Sequence, residues 1–123
     1  MNRVFLGIAG AGFVLFGLWG LMTPIDMLRG LGVDVSGRHA LIEMRSVYGG
    51  ICLAGGGVML ASLFRDRLVR PALWFIVIYC GGYVFGRGTS VLVDGRPEPW
   101  FWAIIAMEFG LFTGAVFFLR QER

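Results

Sequence analysis

The chain has no lysine, one histidine and two cysteines among its 123 residues, and only 15% of it is charged. Each shortage excludes something. Soluble domains carry about 25% charged and about 45–50% apolar residues. A chain this poor in charge and 57% hydrophobic is therefore neither a soluble globular domain nor a disordered segment. Cys52 and Cys80 sit inside apolar stretches and form no CxxC, which excludes a disulfide-rich secreted module and reads as two small core residues. His39 has no cysteine near it, so metal-ligand spacing is absent, and no metal and no cofactor are expected. The net charge of +3 is too small and too scattered for a nucleic-acid footprint, so no nucleic-acid partner is expected either. All basic residues are arginine, a feature without functional weight. The glycines of the first run (Gly7, Gly10, Gly12, Gly17, Gly20) follow no strand and lack the βαβ setting of a nucleotide-binding loop.

What is abundant is uninterrupted apolar sequence. A bilayer core about 30 Å thick needs roughly 20 apolar residues per helix. The first run is Val4 to Met22, ended by Thr23-Pro24. No A-x-A-like site follows it and it is long for a signal peptide, so it reads as a retained helix. The second is Ser46 to Phe64, approached from Ala40 and stopped by Arg65-Asp66-Arg67. The third starts at Pro71, a favoured first helical position, is apolar to Phe85 and regains Val91, Leu92 and Val93. The fourth runs from Trp100 to Leu119. The expected fold is all-α: one domain over residues 1–123, an antiparallel four-helix transmembrane bundle with helices near 4–22, 40–64, 71–93 and 100–119. The longest connection, Ile25 to Ala40, carries Ile25, Met27, Leu28, Leu31, Val33 and Val35 and reads as a short interfacial helix or re-entrant piece.

Arginine placement orients the chain. Arg3, Arg65, Arg67, Arg70, Arg120 and Arg123 fall on one side; Arg29, Arg38 and Arg96 fall on the other. Both termini are expected in the cytoplasm of a bacterium, in a multi-pass protein of the inner membrane. Trp100 and Trp102 fit an outer aromatic belt and Trp74 an inner one.

Charged groups at membrane depth are costly and normally face protein or water. Glu43, Arg45, Arg87 and Glu108 are the candidates. Counted along their helices, Arg45, Arg87 and Glu108 all fall roughly 8–12 Å below the outer surface. Residues three, four and seven apart share a helix face. One face then carries Arg45, Tyr48, Cys52, Gly55, Met59 and Ser62, and another Cys80, Tyr83, Arg87, Ser90 and Asp94. Read inward, each presents arginine, tyrosine, cysteine. Glu43 lies about 200° around the helix from Arg45 and reads as a separate interfacial group. Arg45, Tyr48, Tyr83, Arg87 and Glu108 would share one polar layer, with Ser90 beside it and Asp94 approaching Arg87 from the rim.

Three uses of that layer stay open. It could be a structural ion-pair network, Arg45–Glu108–Arg87 with tyrosine hydroxyls. It could hold an anionic or polar head, with an apolar tail between helices. It could serve acid–base catalysis or a proton relay through Glu108. Glycines read as packing devices: Gly10 and Gly17, Gly82-xxx-Gly86 and Gly55-Gly56-Gly57 mark close helix contacts. His39 reads as a solvated residue at the rim.

Four elements carry a family resemblance: Gly17-Leu18 with Pro24; Arg45-x-x-Tyr48-Gly49-Gly50; Gly86-Arg87-x-x-Ser90-x-x-x-Asp94-Gly95-x-Pro97; and Glu108. Over almost the whole chain the pattern resembles an uncharacterised family of small bacterial four-helix membrane proteins, a domain of unknown function, and it is more distantly similar to the DoxX-like superfamily. The resemblance implies a four-helix fold and importance for Arg45, Tyr48, Arg87, Ser90, Asp94 and Glu108. It implies no activity, and without a haem pair or redox dithiol the redox association of DoxX-like proteins does not carry over. The expected function is a small integral membrane protein whose outer-leaflet pocket binds a lipid-like or other small amphipathic molecule. Arg45 and Arg87 would anchor the head, Tyr48 and Tyr83 would hydrogen-bond it, and Glu108 would balance charge or move a proton. The competing expectations are an accessory or scaffold subunit with a membrane-protein partner or homo-oligomer, and a membrane enzyme of isomerase or cyclase type using Glu108 as acid/base.

Overall fold

The computed structural model describes residues 1–34 and 36–122; Val35 and Arg123, named above, lie outside the described residues. Every element among the described residues is helical. In hydrocarbon the backbone has no water to bond, so each apolar run must satisfy its amides within itself. α1 spans Asn2–Met22 and ends where the Thr23 amide bonds the Trp19 carbonyl. Pro24 then opens α2, Pro24–Gly30, at a position whose missing N–H would be unpaired anyway. α2 is the short helix expected in the long connection. It buries Met27 and Leu28 and leaves Ile25 exposed. Gly32, at φ +77, turns the chain out of it, and the Val33 amide closes the end on the Leu28 carbonyl at 2.8 Å.

The second long helix is not uniform. α3 covers Arg38–Met44, a π-helical stretch covers Arg45–Ile51, and α4 covers Cys52–Ala61; together they make one rod, Arg38–Ala61. A 3-10 turn at Asp66–Leu68 leads into α5, Val69–Asp94, so Pro71 falls inside the first turn and not at its first position. Gly95, at φ +103, ends α5, and α6 spans Phe101–Gln121. These four rods are long and apolar enough to cross a membrane. Their outer faces carry exposed Leu15, Ile78, Phe85 and Phe117, which suits helices whose surroundings are lipid.

One end of the bundle is tied by polar contacts. Arg3 donates to the Leu63 carbonyl at 2.8 Å and pairs with Asp66, and Asn2 donates to the Glu122 carboxylate. Both ends of the chain and the α4–α5 turn therefore lie together, and the four rods run antiparallel.

Packing is uneven. α1 lies closest to α4 and the π stretch, and α5 pairs with α6. Glycine permits the first pairing. A Cβ on Gly17 would stand 2.6 Å from the Leu53 amide nitrogen, and one on Gly56 would stand 2.8 Å from that of Val14. Only bare backbones reach this separation. Gly10 meets Met59 and Leu60 from the same face. Leu6, Ala9, Met59, Leu73, Ile76 and Ala115 form the core at the tied end. Gly55 is filled by the Phe75 ring, which a Cβ would overlap at 2.2 Å. Gly82 and Gly86, expected at a helix contact, instead face open space, as does Gly57. The pair of glycines on α5 lines a groove.

Candidate functional site

That groove lies toward the untied end. Arg87 is seven residues before the end of α5 at Asp94, and Glu108 is seven residues after the start of α6 at Phe101. At ~1.5 Å per residue both sit roughly 10 Å in from their helix ends. Antiparallel neighbours thus bring them to one depth. Arg87 Nη1 and Glu108 Oε2 form an ion pair, and neither atom has a further polar partner. Their side chains are only 17% and 10% exposed. The guanidinium lies 4.9 Å from the centre of the Tyr83 ring and 5.1 Å from that of Phe101. Aromatic faces and a carboxylate together meet the cation, which compensates its removal from water.

Two cavities adjoin this pair. The inner one, about 440 Å³, is walled by Ile8, Phe13 and Phe16 of α1, Cys52 of α4, Cys80 of α5, and Ile104, Met107, Glu108 and Leu111 of α6. The outer one, about 670 Å³, is an open groove between Val47 and Ile51 of the π stretch and Gly82, Gly86 and Ser90 of α5, lined also by Leu31, Val33 and Phe101. Tyr48, Tyr79, Tyr83, Arg87 and Leu31 belong to both. Three phenols and a guanidinium therefore form the shared wall. The wall is held by ring packing: Tyr79 lies 4.8 Å from Tyr83, 5.2 Å from Phe13 and 5.5 Å from Phe75, centre to centre, and the Tyr79 hydroxyl meets Cys52 Sγ at 3.1 Å.

Of the residues singled out in the sequence, Tyr48, Tyr83, Arg87 and Glu108 come together, and Ser90 lines the outer groove while remaining exposed. Arg45 and Asp94 do not join them. Both are exposed and border neither cavity, and neither forms an ion pair among the described residues. Arg45 has the expected depth, seven residues into its rod, but the wrong face. The π stretch begins at Arg45, and a turn closed by i→i+5 bonds holds more residues than an α-turn. Each residue then advances by less than the ~100° of a 3.6-residue turn, so positions three apart, such as Arg45 and Tyr48, no longer share a face. Tyr48 faces the cavity while Arg45 faces outward. Cys52 and Cys80 are both buried, as expected of core cysteines, and both reach the inner cavity. His39 is exposed.

Sequence reading passed over Tyr79 and Phe101. The first had a signal: Tyr79, Tyr83 and Arg87 follow one another at i, i+4, i+8 on α5. Phe101 had none, because its ring reaches Arg87 only through the pairing of α5 with α6. Among the described residues no three His, Cys, Asp or Glu side chains converge on a point that could hold a metal ion.

Comparison with protein families places the chain. The family model described as Domain of unknown function (DUF4345) matches residues 1–119. The chain belongs to this family. Searches of curated proteins and of solved structures gave no match. Its functional reading therefore rests on the geometry and chemistry of the site.

Proposed function

We propose that this DUF4345 protein binds a small amphipathic molecule inside its bundle, with the polar head at the Arg87–Glu108 pair and the tail in the apolar inner cavity. The observation that carries the reading is a charged pair set in the wall of a mostly apolar cavity of about 440 Å³. Pockets for small molecules are of this kind: mostly apolar, with a few convergent polar groups, and about 300–1,000 Å³ in size. Tyr48 and Tyr83 supply hydroxyls beside the pair, and the outer groove past Gly82 and Gly86 gives a path of entry from the lipid side.

Topology belongs to the same proposal. Arg3, Arg65, Arg67, Arg70 and Arg120 lie at the end that carries both chain ends, against Arg29, Arg38 and Arg96 at the other. The positive-inside rule then puts the termini in the cytoplasm, in a bacterial inner membrane, with the site in the outer leaflet.

The test is native mass spectrometry of protein extracted in mild detergent. Wild type should carry a bound amphiphile. The double variant Arg87→Met with Glu108→Leu, which removes both charges and keeps the bulk, should fold and lose it. A folded double variant that retains everything wild type carries would sink the reading.

A further inference from the structure

The charges on the cavity walls cancel. Arg87 and Glu108 line the inner cavity, Arg87 alone of the two reaches the outer groove, and the remaining polar groups are phenols, thiols and the Ser90 hydroxyl. Arg45, which would have made the site a double cation, stands outside both cavities and exposed. Glu108 takes one nitrogen of the guanidinium, and the rings of Tyr83 and Phe101 lie against it. What remains for a ligand head is a set of hydrogen-bond donors, the free Arg87 N–H groups and the phenol hydroxyls, in a site of zero formal charge.

An anionic head on the free Arg87 N–H groups would share one cation with the Glu108 carboxylate. Two anions would then stand close together in a buried site of net charge −1, which like-charge repulsion and desolvation make unfavourable. A head whose oxygen atoms are uncharged accepts hydrogen bonds from the same donors and leaves the pair intact. We infer that the site selects uncharged amphiphiles, with carbonyl or hydroxyl heads on a hydrocarbon tail, over anionic ones, and that Glu108 is the residue that excludes anions. This rests on the amphiphile-binding reading above and names its ligand class.

Oleamide and oleate share tail and head size and differ in charge at about pH 9, where the fatty carboxylate is ionised. Both are added at equal concentration to detergent-purified protein, and retained ligand is counted by native mass spectrometry. Wild type should retain oleamide about 10-fold over oleate or better, a difference of about 1.4 kcal/mol or more. Glu108→Gln frees Arg87 and should reverse that preference. The double variant Arg87→Gln with Glu108→Gln, neutral again, should hold oleamide without gaining oleate. If wild type retains oleate as well as oleamide, the inference is overturned while the amphiphile reading stands, and this comparison needs no variant to fold. If folded wild type retains neither probe, both fall.

Discussion

Replacing Arg87 by Met leaves the Glu108 carboxylate buried with no partner, and replacing both removes the need for one. The buried pair therefore predicts strong non-additivity. Arg87→Met alone should cost about 3–5 kcal/mol, and the double variant with Glu108→Leu should recover most of it. Thermal unfolding of the single and double variants in detergent measures this; a single variant as stable as wild type would contradict the pairing. Tyr79→Phe removes the hydroxyl that meets Cys52 and keeps the ring stack, so its loss should be only about 1 kcal/mol by the same measurement. Arg87 and Glu108 were legible because a charge inside an apolar run stands out and because depth is a matter of counting. Arg45 was legible in depth only. Its face depends on hydrogen-bond geometry, and nothing in Arg45-Ser46-Val47-Tyr48 announces i→i+5 bonding. Asp94 stands two turns, roughly 10 Å, beyond Arg87 on the same helix, and there its carboxylate is exposed.

Among the elements, α1 and α4 are fastened by glycine, so a side chain at Gly17 has nowhere to go. Gly17→Leu must part the two backbones. It should lower the melting temperature sharply or prevent folding, while Gly12→Ala, which meets nothing within 4 Å, should leave it unchanged. Gly86 answers a different question. Its Cβ position is empty although its helix is packed elsewhere, so Gly86→Leu should keep the fold and fill the outer groove. The melting temperature should stay near wild type while amphiphile retention falls; equal retention would mean the groove is no entry path. The sequence showed glycines at intervals suited to helix contact on both α1 and α5. It could not show which of them meet a partner, because that depends on which helices pair, α1 with α4 and α5 with α6.

At the scale of the whole molecule the fold was legible almost completely. The four apolar runs became the four long rods, Pro24 and Gly95 ended or opened helices where their backbone chemistry requires, and the short helix in the first connection formed. Hydrocarbon favours this clarity, since a single long apolar run can satisfy its backbone within itself only as a helix. The Asn2–Glu122 contact brings the two ends of the chain together and Arg3 ties the α4–α5 turn to them, and the arginine bias at that end predicts that a reporter fused to the C-terminus reads as cytoplasmic; a periplasmic reading would invert the proposed topology. The cavity was not legible, because empty space is a property of the assembled bundle and of no single helix. Its occupancy is the central claim, and a structure solved in a lipid bilayer measures it most directly. The expected result is elongated density in the inner cavity ending beside Arg87 and Glu108. A bundle in which α1 and α6 have closed on each other, with Phe13, Phe16 and Met107 filling that space, would contradict it.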